Sequence, residues 1–186
     1  CRAYDHLLTI IQYPSGSTEE GIQLIYFSSG GSITRVTKNF MQKNTLHEAP
    51  VESFPVMEAF YTLQGEGYYQ GHAAYFIRLG GCDVGCVWCD VKDSWEAEKW
   101  PVRSVSHLVE EAVQFPARLA VITGGEPAMY NLQTLTAQLQ ARGFKTNIET
   151  SGVYPLTGTW DWVCFSPKKF KQPHESIYKE ANELKV

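Results

Sequence analysis

The sequence lacks a long apolar run, an excess of positive charge and a regular set of paired cysteines. No stretch of its 186 residues approaches the length of a membrane-spanning helix. The N-terminus shows no charged region followed by an apolar one, so we predict neither a membrane protein nor a secretory signal. The net charge of −4 argues against a surface for nucleic acid or anionic lipid. With 44 % apolar and 19 % charged residues, the composition is that of a globular domain.

Cysteine is present but unevenly placed. Of the five cysteines, Cys82, Cys86 and Cys89 crowd into "GGCDVGCVWCDV", whereas Cys1 and Cys164 are isolated in sequence. An odd number with this crowding does not make a disulfide framework, and it predicts a protein of the reducing cytoplasm.

Three thiols at C-x3-C-x2-C spacing predict a metal site on one loop, with Gly81 and Gly85 permitting its tight path. A structural zinc site needs four ligands, and neither a second cysteine pair nor a suitably spaced histidine (the nearest are His72 and His107) supplies the fourth. Three unrelated core cysteines are a poor explanation at this density. A [4Fe–4S] cluster on three thiolates leaves one iron without a protein ligand, which predicts that a small molecule binds there.

The first 45 residues differ from the rest of the chain. They hold turn-rich stretches such as "SGSTEEG" and "FSSGGSITR" with no clear helical or strand period, and the first methionine is Met41. The segment could be a small accessory element or upstream sequence that is not native to the enzyme, with Met41 as the start. We predict the second, with an irregular extension over residues 1–45 and the functional domain over 46–186.

Beyond Val56, strand-like and helix-like segments alternate. Apolar runs predict strands at 57–63, 73–79, 119–123, 146–150 and 162–166. Apolar spacing predicts helices at 105–115 and 131–143, the latter with Asn131 as N-cap and Gly143 just past its end. A last helix is predicted over about 174–184, and a strand-like run begins at 181–186.

Polar or glycine-rich motifs follow the carboxyl ends of several strands: the cysteine loop, "GGEP", "SGVYP" and "PKK". In folds built from βα units such loops meet at one rim and form the active site. The chain is too short for eight units. We therefore predict an α/β fold, a partial TIM-like βα barrel with parallel strands, truncated at its C-terminus.

The cysteine spacing after a strand, followed by "TGGEP" after the next one, resembles the radical S-adenosylmethionine superfamily. "FYTLQGEGYYQGHAAYFIRLGGCDVGCVWCD", "VITGGEP", "IETSG" and "SPK" further resemble the 7-carboxy-7-deazaguanine synthase family over about residues 57–186. "LQGEG" is the most discriminating of these motifs, because glycyl-radical activases share the cysteines without it.

The resemblance implies roles for matching positions. Cys82, Cys86 and Cys89 would hold the [4Fe–4S] cluster, whose open iron is chelated by S-adenosylmethionine. The residues implied to contact that cofactor are Trp88, Cys89, Asp90, Gly125, Glu149, Ser166, Pro167 and Lys168. Those implied to contact a pterin substrate are Leu63, Gln64, Gly65, Glu66, Arg78 and Thr123, with Arg78 meeting its carboxylate.

Some of these residues have simpler explanations. Arg78 could pair with a structural carboxylate, since buried charges are usually paired. Lys168 could belong to a solvated basic run with Lys169 and Lys171. Cys164, in an apolar strand, is interpreted as a small core residue.

Magnesium is in doubt. The family commonly has threonine after Asp90, and its hydroxyl helps to hold Mg²⁺, but here the residue is Val91. Magnesium requires oxygen ligands, so this one is lost. Asp90, Asp93 or Ser94 could substitute, but the sequence gives no ground for choosing one.

The resemblance implies a lyase that converts 6-carboxy-5,6,7,8-tetrahydropterin to 7-carboxy-7-deazaguanine with loss of ammonia, in queuosine or other 7-deazapurine biosynthesis. It also implies an external electron donor and a homodimer, and we expect no direct contact with nucleic acid or membrane. The alternatives are another radical S-adenosylmethionine enzyme, such as a glycyl-radical activase, or a non-catalytic zinc module.

Overall fold

A computed structural model of the chain describes residues 25–27, 33–35 and 52–186. The chain divides into two units, residues 1–47 and 48–186. In the first unit, β1 (Ile25–Phe27) and β2 (Ile33–Arg35) pair antiparallel. The sequence pattern predicted no strand there, so "irregular" is too strong a description of this segment. Cys1 and Met41 lie outside the described residues, and the foreign origin of the segment stays a prediction.

Within residues 52–186, seven strands form one sheet. The strands are β3 (Ser53–Leu63), β4 (Ala73–Leu79), β5 (Val102–Ser104), β6 (Leu119–Gly124), β7 (Lys145–Thr150), β8 (Trp162–Phe165) and β9 (Glu183–Leu184). Their spatial order is β5-β3-β4-β6-β7-β8-β9, with β5 and β9 at the two edges. The sheet is therefore open, and the predicted α/β fold with a partial barrel is confirmed.

The sheet is mostly, but not wholly, parallel. Strands β4, β6, β7, β8 and β9 run parallel, whereas β3 pairs antiparallel with both β4 and β5. The short segment 64–72 between β3 and β4 is long enough for a hairpin but too short for a crossover connection. The parallel strands predicted for the barrel are therefore β4 and β6 to β9, and β3 adds an antiparallel strand that the sequence analysis did not identify as such.

Two helices cover one face of the sheet. α1 (Val105–Ala112) begins at Ser104, whose hydroxyl accepts a hydrogen bond from the backbone N–H of His107 at 3.2 Å. α2 (Gln133–Ala141) ends before Gly143, which has φ +80° as predicted for a helix stop. Both helices are shorter than predicted. The Asn131 side chain accepts from Gln133 N at 3.1 Å, one residue before the observed cap at Leu132.

The predicted helix over 174–184 is mostly wrong. Only α3 (Ile177–Glu180) is helical, and the chain is extended again at Ala181. The backbone N–H of Asn182 donates to the carbonyl of Val163, and the side-chain oxygen of Asn182 accepts from the N–H of Val163. These bonds align the following residues with the edge of β8, which produces β9 where the strand-like run was expected.

The two faces of the sheet have different characters. The face under α1 and α2 carries the main apolar core, which includes Tyr75, Ile77, Leu79, Leu108, Ile122, Leu135, Leu139 and Ile148. The opposite face, which we call the open face, has a small apolar cluster of Ala74, Phe76, Leu119 and Val121. Further along β4, β6 and β7, the side chains on the same face are polar, and they are Arg78, Thr123, Asn147 and Glu149. The open face is where the candidate site lies.

No helix among the described residues has both the length and the apolar character needed to cross a membrane.

Candidate active site

The loop after β4 carries the three clustered cysteines. Cys82, Cys86 and Cys89 are half-buried free thiols. Gly81 (φ +98°) and Gly85 (φ +73°) adopt left-handed conformations, as the tight path predicted. A turn is closed by the backbone N–H of Cys89, which donates to the carbonyl of Cys86 at 3.1 Å. One loop therefore presents all three thiols.

The electrostatics of this loop fit a cationic group. Burial is the main cause that raises the pKa of Cys82, and Glu126 and the two other thiols raise it further. Burial also raises the pKa of Cys86, while Lys168 acts to lower it. The thiols are thus close enough to disfavour one another's ionisation. Bound iron would offset this repulsion between thiolates.

The ligand arrangement favours a cluster over a single ion. A zinc ion brings all its ligands to one point. In the part of the chain that the structure describes, no three His, Cys, Asp or Glu side chains are gathered in that way. Each thiolate of an iron–sulfur cluster meets its own iron, so its ligands do not have to converge on one point. The donor set of three cysteines fits a cluster that keeps one iron open.

The "TGGEP" turn after β6 is bonded directly to the cysteine loop. The N–H of Gly125 donates to the carbonyl of Leu79 at 3.0 Å, and the N–H of Glu126 donates to the carbonyl of Gly81 at 2.9 Å. The two motifs on which the superfamily resemblance depends therefore form one continuous backbone surface.

Glu126 is fully buried and joins this turn to the loop after β7. Its carboxylate accepts hydrogen bonds from the N–H of Ala128 at 3.0 Å and from the hydroxyl of Thr150 at 2.5 Å. It also accepts from both the N–H and the hydroxyl of Ser151. The sequence analysis gave Glu126 no role, although the motif itself was the signal for one.

Ser166, Pro167 and Lys168 follow β8 as predicted. The Lys168 ammonium donates to the Ser166 hydroxyl at 2.6 Å, and its charge acts to lower the pKa of Cys86. This effect distinguishes it from Lys169, which is exposed. Trp88 is 60 % exposed, and the centroid of its ring lies 4.7 Å from the ring centroid of Phe170. Asp90 is exposed beside it.

A second connection to the cysteine loop was not predicted. Asp83 Oδ2 accepts hydrogen bonds from the Lys171 ammonium at 2.6 Å and from the Tyr154 hydroxyl at 2.5 Å. These three residues come from three different loops. Hydrogen bonds from Lys171 and Tyr154 are the main cause that lowers the pKa of Asp83.

Glu149 lies between two of the predicted substrate residues. Its Oε1 accepts from the amide of Gln64 at 2.9 Å, and its Oε2 accepts from the hydroxyl of Thr123 at 3.4 Å. Gln64 and Thr123 are buried, so this small network is sheltered. Glu149 was assigned to the cofactor, and its observed neighbours make it a boundary residue between the two predicted sets.

The other predicted substrate residues are more exposed. Leu63 is 62 % exposed, and Gly65 and Glu66 are exposed as well. Glu66 forms an ion pair with Lys185 at 2.5 Å. Arg78 Nε donates to Glu58 Oε1 at 2.6 Å across the β3–β4 pair. Glu58 is therefore a structural carboxylate of the kind that the simpler explanation of Arg78 requires. Contact between Arg78 and a substrate stays a prediction.

None of the three suggested substitutes for the magnesium ligand is supported by a specific contact. The Ser94 hydroxyl is buried and donates to the carbonyl of Val91 at 2.6 Å. Asp90 and Asp93 are exposed.

A polar cavity lies on the open face beside Gln64 and Glu149. Residues that the sequence analysis missed also line it, among them Asn147, Glu183 and Lys185. Glu183 accepts from the N–H of Tyr68 at 3.2 Å and from the indole of Trp162 at 2.8 Å, and so fixes the loop that carries "QGEG". Cys164 also lines this cavity, and burial raises its pKa to about 11. It is a buried residue of β8, as interpreted from the sequence.

Comparison with known proteins agrees with this geometry. The family model for the radical SAM superfamily matches residues 76–164. A 7-carboxy-7-deazaguanine synthase from Flavobacterium psychrophilum is 55 % identical over 135 residues, which are 73 % of this chain and 64 % of that protein. One from a Synechocystis species is 49 % identical over 146 residues, which are 78 % of this chain and 70 % of that protein. The chain spans about two thirds of the length of these curated relatives.

A solved structure is also similar. The crystal structure of QueE from Escherichia coli superposes with a TM-score of 0.67 at 38 % sequence identity, covering 71 % of this chain and 69 % of that one. The open sheet with its cysteine loop and "TGGEP" turn is thus a radical S-adenosylmethionine domain. Within that superfamily, the chain belongs to the 7-carboxy-7-deazaguanine synthase family.

Proposed function

We propose that the protein is a lyase that converts 6-carboxy-5,6,7,8-tetrahydropterin to 7-carboxy-7-deazaguanine with release of ammonia. The observation that carries the proposal is the position of Gln64, Thr123 and Glu149. They form a sheltered polar network on the open face, and Thr123 and Glu149 lie near the carboxyl ends of β6 and β7, the edge that also carries the cysteine loop and the "TGGEP" turn. Membership of the family supports the same reaction.

The cofactors of this proposal are a [4Fe–4S] cluster and S-adenosylmethionine. Cys82, Cys86 and Cys89 would hold the cluster. Bound and reduced, the cluster would supply the electron for reductive cleavage of S-adenosylmethionine, and the adenosyl fragment would supply hydrogen-atom abstraction from the substrate. The proposed contacts of S-adenosylmethionine are Trp88, Cys89, Asp90, Gly125, Glu149, Ser166, Pro167 and Lys168.

The chain's own contribution is to orient the substrate and to exclude water. The Gln64 side chain is held at both ends, because its amide N–H donates to Glu149 and its oxygen accepts from the backbone N–H of Glu66 at 3.3 Å. The second lone pair of that oxygen would accept from a ring N–H of the substrate. Arg78 would bind the substrate carboxylate through its terminal nitrogens, because its Nε is bonded to Glu58. Leu63, Gly65, Glu66 and Thr123 complete the proposed substrate contacts.

The remaining features of the proposal are less direct. A reduced thiol loop suits the cytoplasm. The external electron donor and the homodimer follow from the family resemblance alone. The proposed site does not depend on magnesium, because Val91 supplies no oxygen ligand.

The test is anaerobic reconstitution followed by incubation with the carboxypterin. Broad absorption at about 400 nm indicates the cluster, whereas a colourless protein that binds one zinc ion favours the zinc module. Formation of 7-carboxy-7-deazaguanine supports the proposal. Cofactor cleavage that produces no deazaguanine in the presence of the pterin favours another radical enzyme, such as an activase.

Two variants test the substrate assignment. Gln64→Ala and Arg78→Met should weaken pterin binding by about tenfold or more, because each removes a hydrogen-bonding group, while cofactor cleavage persists. Gln70→Ala on the same hairpin loop and Arg142→Met after α2 are exposed controls that should bind as the wild type does. Loss of cofactor cleavage with unchanged pterin binding would show that the assignment is wrong.

A further inference from the structure

Asn147 is a buried amide on the open face. It lies in β7 with 3 % of its surface exposed, and it pairs in register with Val121 and Trp162. It precedes Glu149 by two residues, so the two side chains share one face of the strand. Asn147 therefore lies next to Glu149 on the open face, beside the network of Gln64, Thr123 and Glu149.

The side-chain oxygen of Asn147 has no hydrogen-bond partner among the described residues. Burying an unpaired polar group lowers the free energy of unfolding. A leucine, which has the same branched arrangement of heavy atoms but no polar group, would remove that cost beside Val121 and Trp162. The amide is therefore poorly explained by the stability of the fold alone.

One other buried side-chain atom of the described residues lacks a partner, the hydroxyl oxygen of Tyr75. Tyr75 belongs to the core under the helices, whereas Asn147 lines the polar cavity together with Gln64 and Glu149. Asn147 is thus a wall residue of a cavity, whereas Tyr75 is enclosed in the core.

The cavity wall around Asn147 is rich in acceptors. Besides Asn147 it carries the carboxylates of Glu149, Glu66 and Glu183, and Lys185, the one cation among its described residues, is paired with Glu66. A ligand for such a wall must present N–H donors. A 2-amino-4-oxopyrimidine ring presents an exocyclic amino group next to a ring N–H, which matches this need. The carboxylate at the far end of a carboxypterin would instead require a cation, such as Arg78.

We propose that Asn147 is a specificity-determining residue that accepts a hydrogen bond from the aminopyrimidine edge of the substrate. The assignment rests on the proposed function and deepens it. Asn147 selects pteridines with a 2-amino group over those with a 2-oxo group, because the latter present an acceptor to an acceptor. A site that hydrogen-bonds a group rejects analogues without it far more strongly than an apolar pocket does.

Competition binding tests this selection. The probes are 6-carboxypterin and 6-carboxylumazine, which differ in the 2-amino and 2-oxo groups, and the protein is reconstituted and loaded with S-adenosylmethionine. The wild type should prefer the pterin by about tenfold or more. In Asn147→Leu the preference should fall to about twofold or less. Gln138→Leu, an exposed amide on α2, is the control and should keep the wild-type ratio.

Thermal unfolding without ligand supplies a second readout. Asn147→Leu should melt at the same temperature as the wild type or higher, since it replaces an unpaired polar group with an apolar one. A lower melting temperature, or failure to fold, overturns the assignment, because Asn147 would then serve the fold. Asn147→Ala, which keeps the strand and only empties the position, gives an independent measurement of the binding ratio.

These outcomes distinguish failure of the proposed function from failure of the Asn147 assignment. If the wild type binds neither probe, the proposed function fails and this assignment fails with it. If the wild type binds the pterin and Asn147→Leu keeps the full preference, the assignment alone is overturned, and Asn147 holds an ordered water only.

Discussion

A Cβ atom on Gly125 would lie 2.2 Å from the carbonyl oxygen of Gly81. That distance is far inside van der Waals contact, and the obstacle is backbone, which cannot move aside as a flexible side chain can. The same Cβ would lie 2.8 Å from the Cβ of Cys82. The "TGGEP" turn and the cysteine loop are therefore packed backbone to backbone, and only glycine at position 125 allows it.

We predict that Gly125→Ala separates the two motifs. The substitution should lower the free energy of unfolding by about 1–3 kcal/mol, as overpacking does. It should also reduce the iron retained after reconstitution, because Cys82 adjoins the clash. Iron analysis and denaturant unfolding measure the two effects.

Gly65→Ala is the folding control for this experiment. No atom lies within 4 Å of a Cβ placed there, and the position does not have a left-handed backbone. It should unfold and retain iron as the wild type does. Equal behaviour of the two alanine variants would contradict the packing argument.

Glu126 gives a second prediction. All four hydrogen bonds of its carboxylate are accepted from donors on Ala128, Thr150 and Ser151. Glu126→Gln replaces one acceptor oxygen with an amide that is itself a donor. It should cost about 1–3 kcal/mol of unfolding free energy and weaken S-adenosylmethionine binding, since the turn loses its attachment to the next loop.

Denaturant unfolding and equilibrium dialysis measure these two losses. Glu110→Gln on the exposed side of α1 is the matched control and should change neither. An unaltered affinity for S-adenosylmethionine in Glu126→Gln would mean that this attachment does not position the cofactor turn.

Local patterns predicted much of the fold. The strand at 73–79 was predicted with the observed bounds, and the helix predicted from apolar spacing over 131–143 is α2, which buries Leu135 and Leu139. Both signals depend on neighbours within a few residues, so the sequence carries them directly. The placement of the "TGGEP" turn beside the cysteines followed from the general rule that loops at the carboxyl ends of parallel strands converge.

Other features depend on contacts between residues far apart in sequence. The helical spacing after residue 174 produces only a short helix, because Asn182 and Glu183 pair with the edge of β8 and are therefore extended. The unpaired oxygen of Asn147 is visible only when the whole cavity is assembled. No local pattern distinguishes this asparagine from one that is satisfied within the fold.

The contact between Asp83 and Lys171 gives a third prediction. The pair joins the cysteine loop to the loop after β8 at 2.6 Å, but both side chains are partly exposed. Lys171→Met should therefore change the unfolding free energy by no more than about 1 kcal/mol. It should nevertheless speed iron loss to a chelator, because the loop that carries Cys82 is less restrained.

Lys169→Met is the control, since Lys169 is exposed and forms no ion pair within residues 52–186. Added salt should speed iron loss from the wild type more than from Lys171→Met, because it screens an exposed pair. If the two variants lose iron at the same rate, Asp83 and Lys171 do not restrain the cluster loop.

Cys164 gives the last prediction, on the pH dependence of stability. Burial is the main cause that raises its pKa from 9.0 to about 11, with Glu183 and Glu149 adding to it. The folded state thus keeps this proton at a pH where the unfolded chain has lost it. The stabilisation is complete below pH 9 and is lost as the pH rises toward 11.

Between pH 9 and pH 11, the metal-free wild type should lose on the order of 2–3 kcal/mol more unfolding free energy than Cys164→Ala. Urea unfolding at several pH values under reducing conditions measures this difference, and the other titrating groups cancel because both proteins contain them. Parallel stability curves for the two proteins would mean that the Cys164 thiol ionises as readily in the folded state as in the unfolded one.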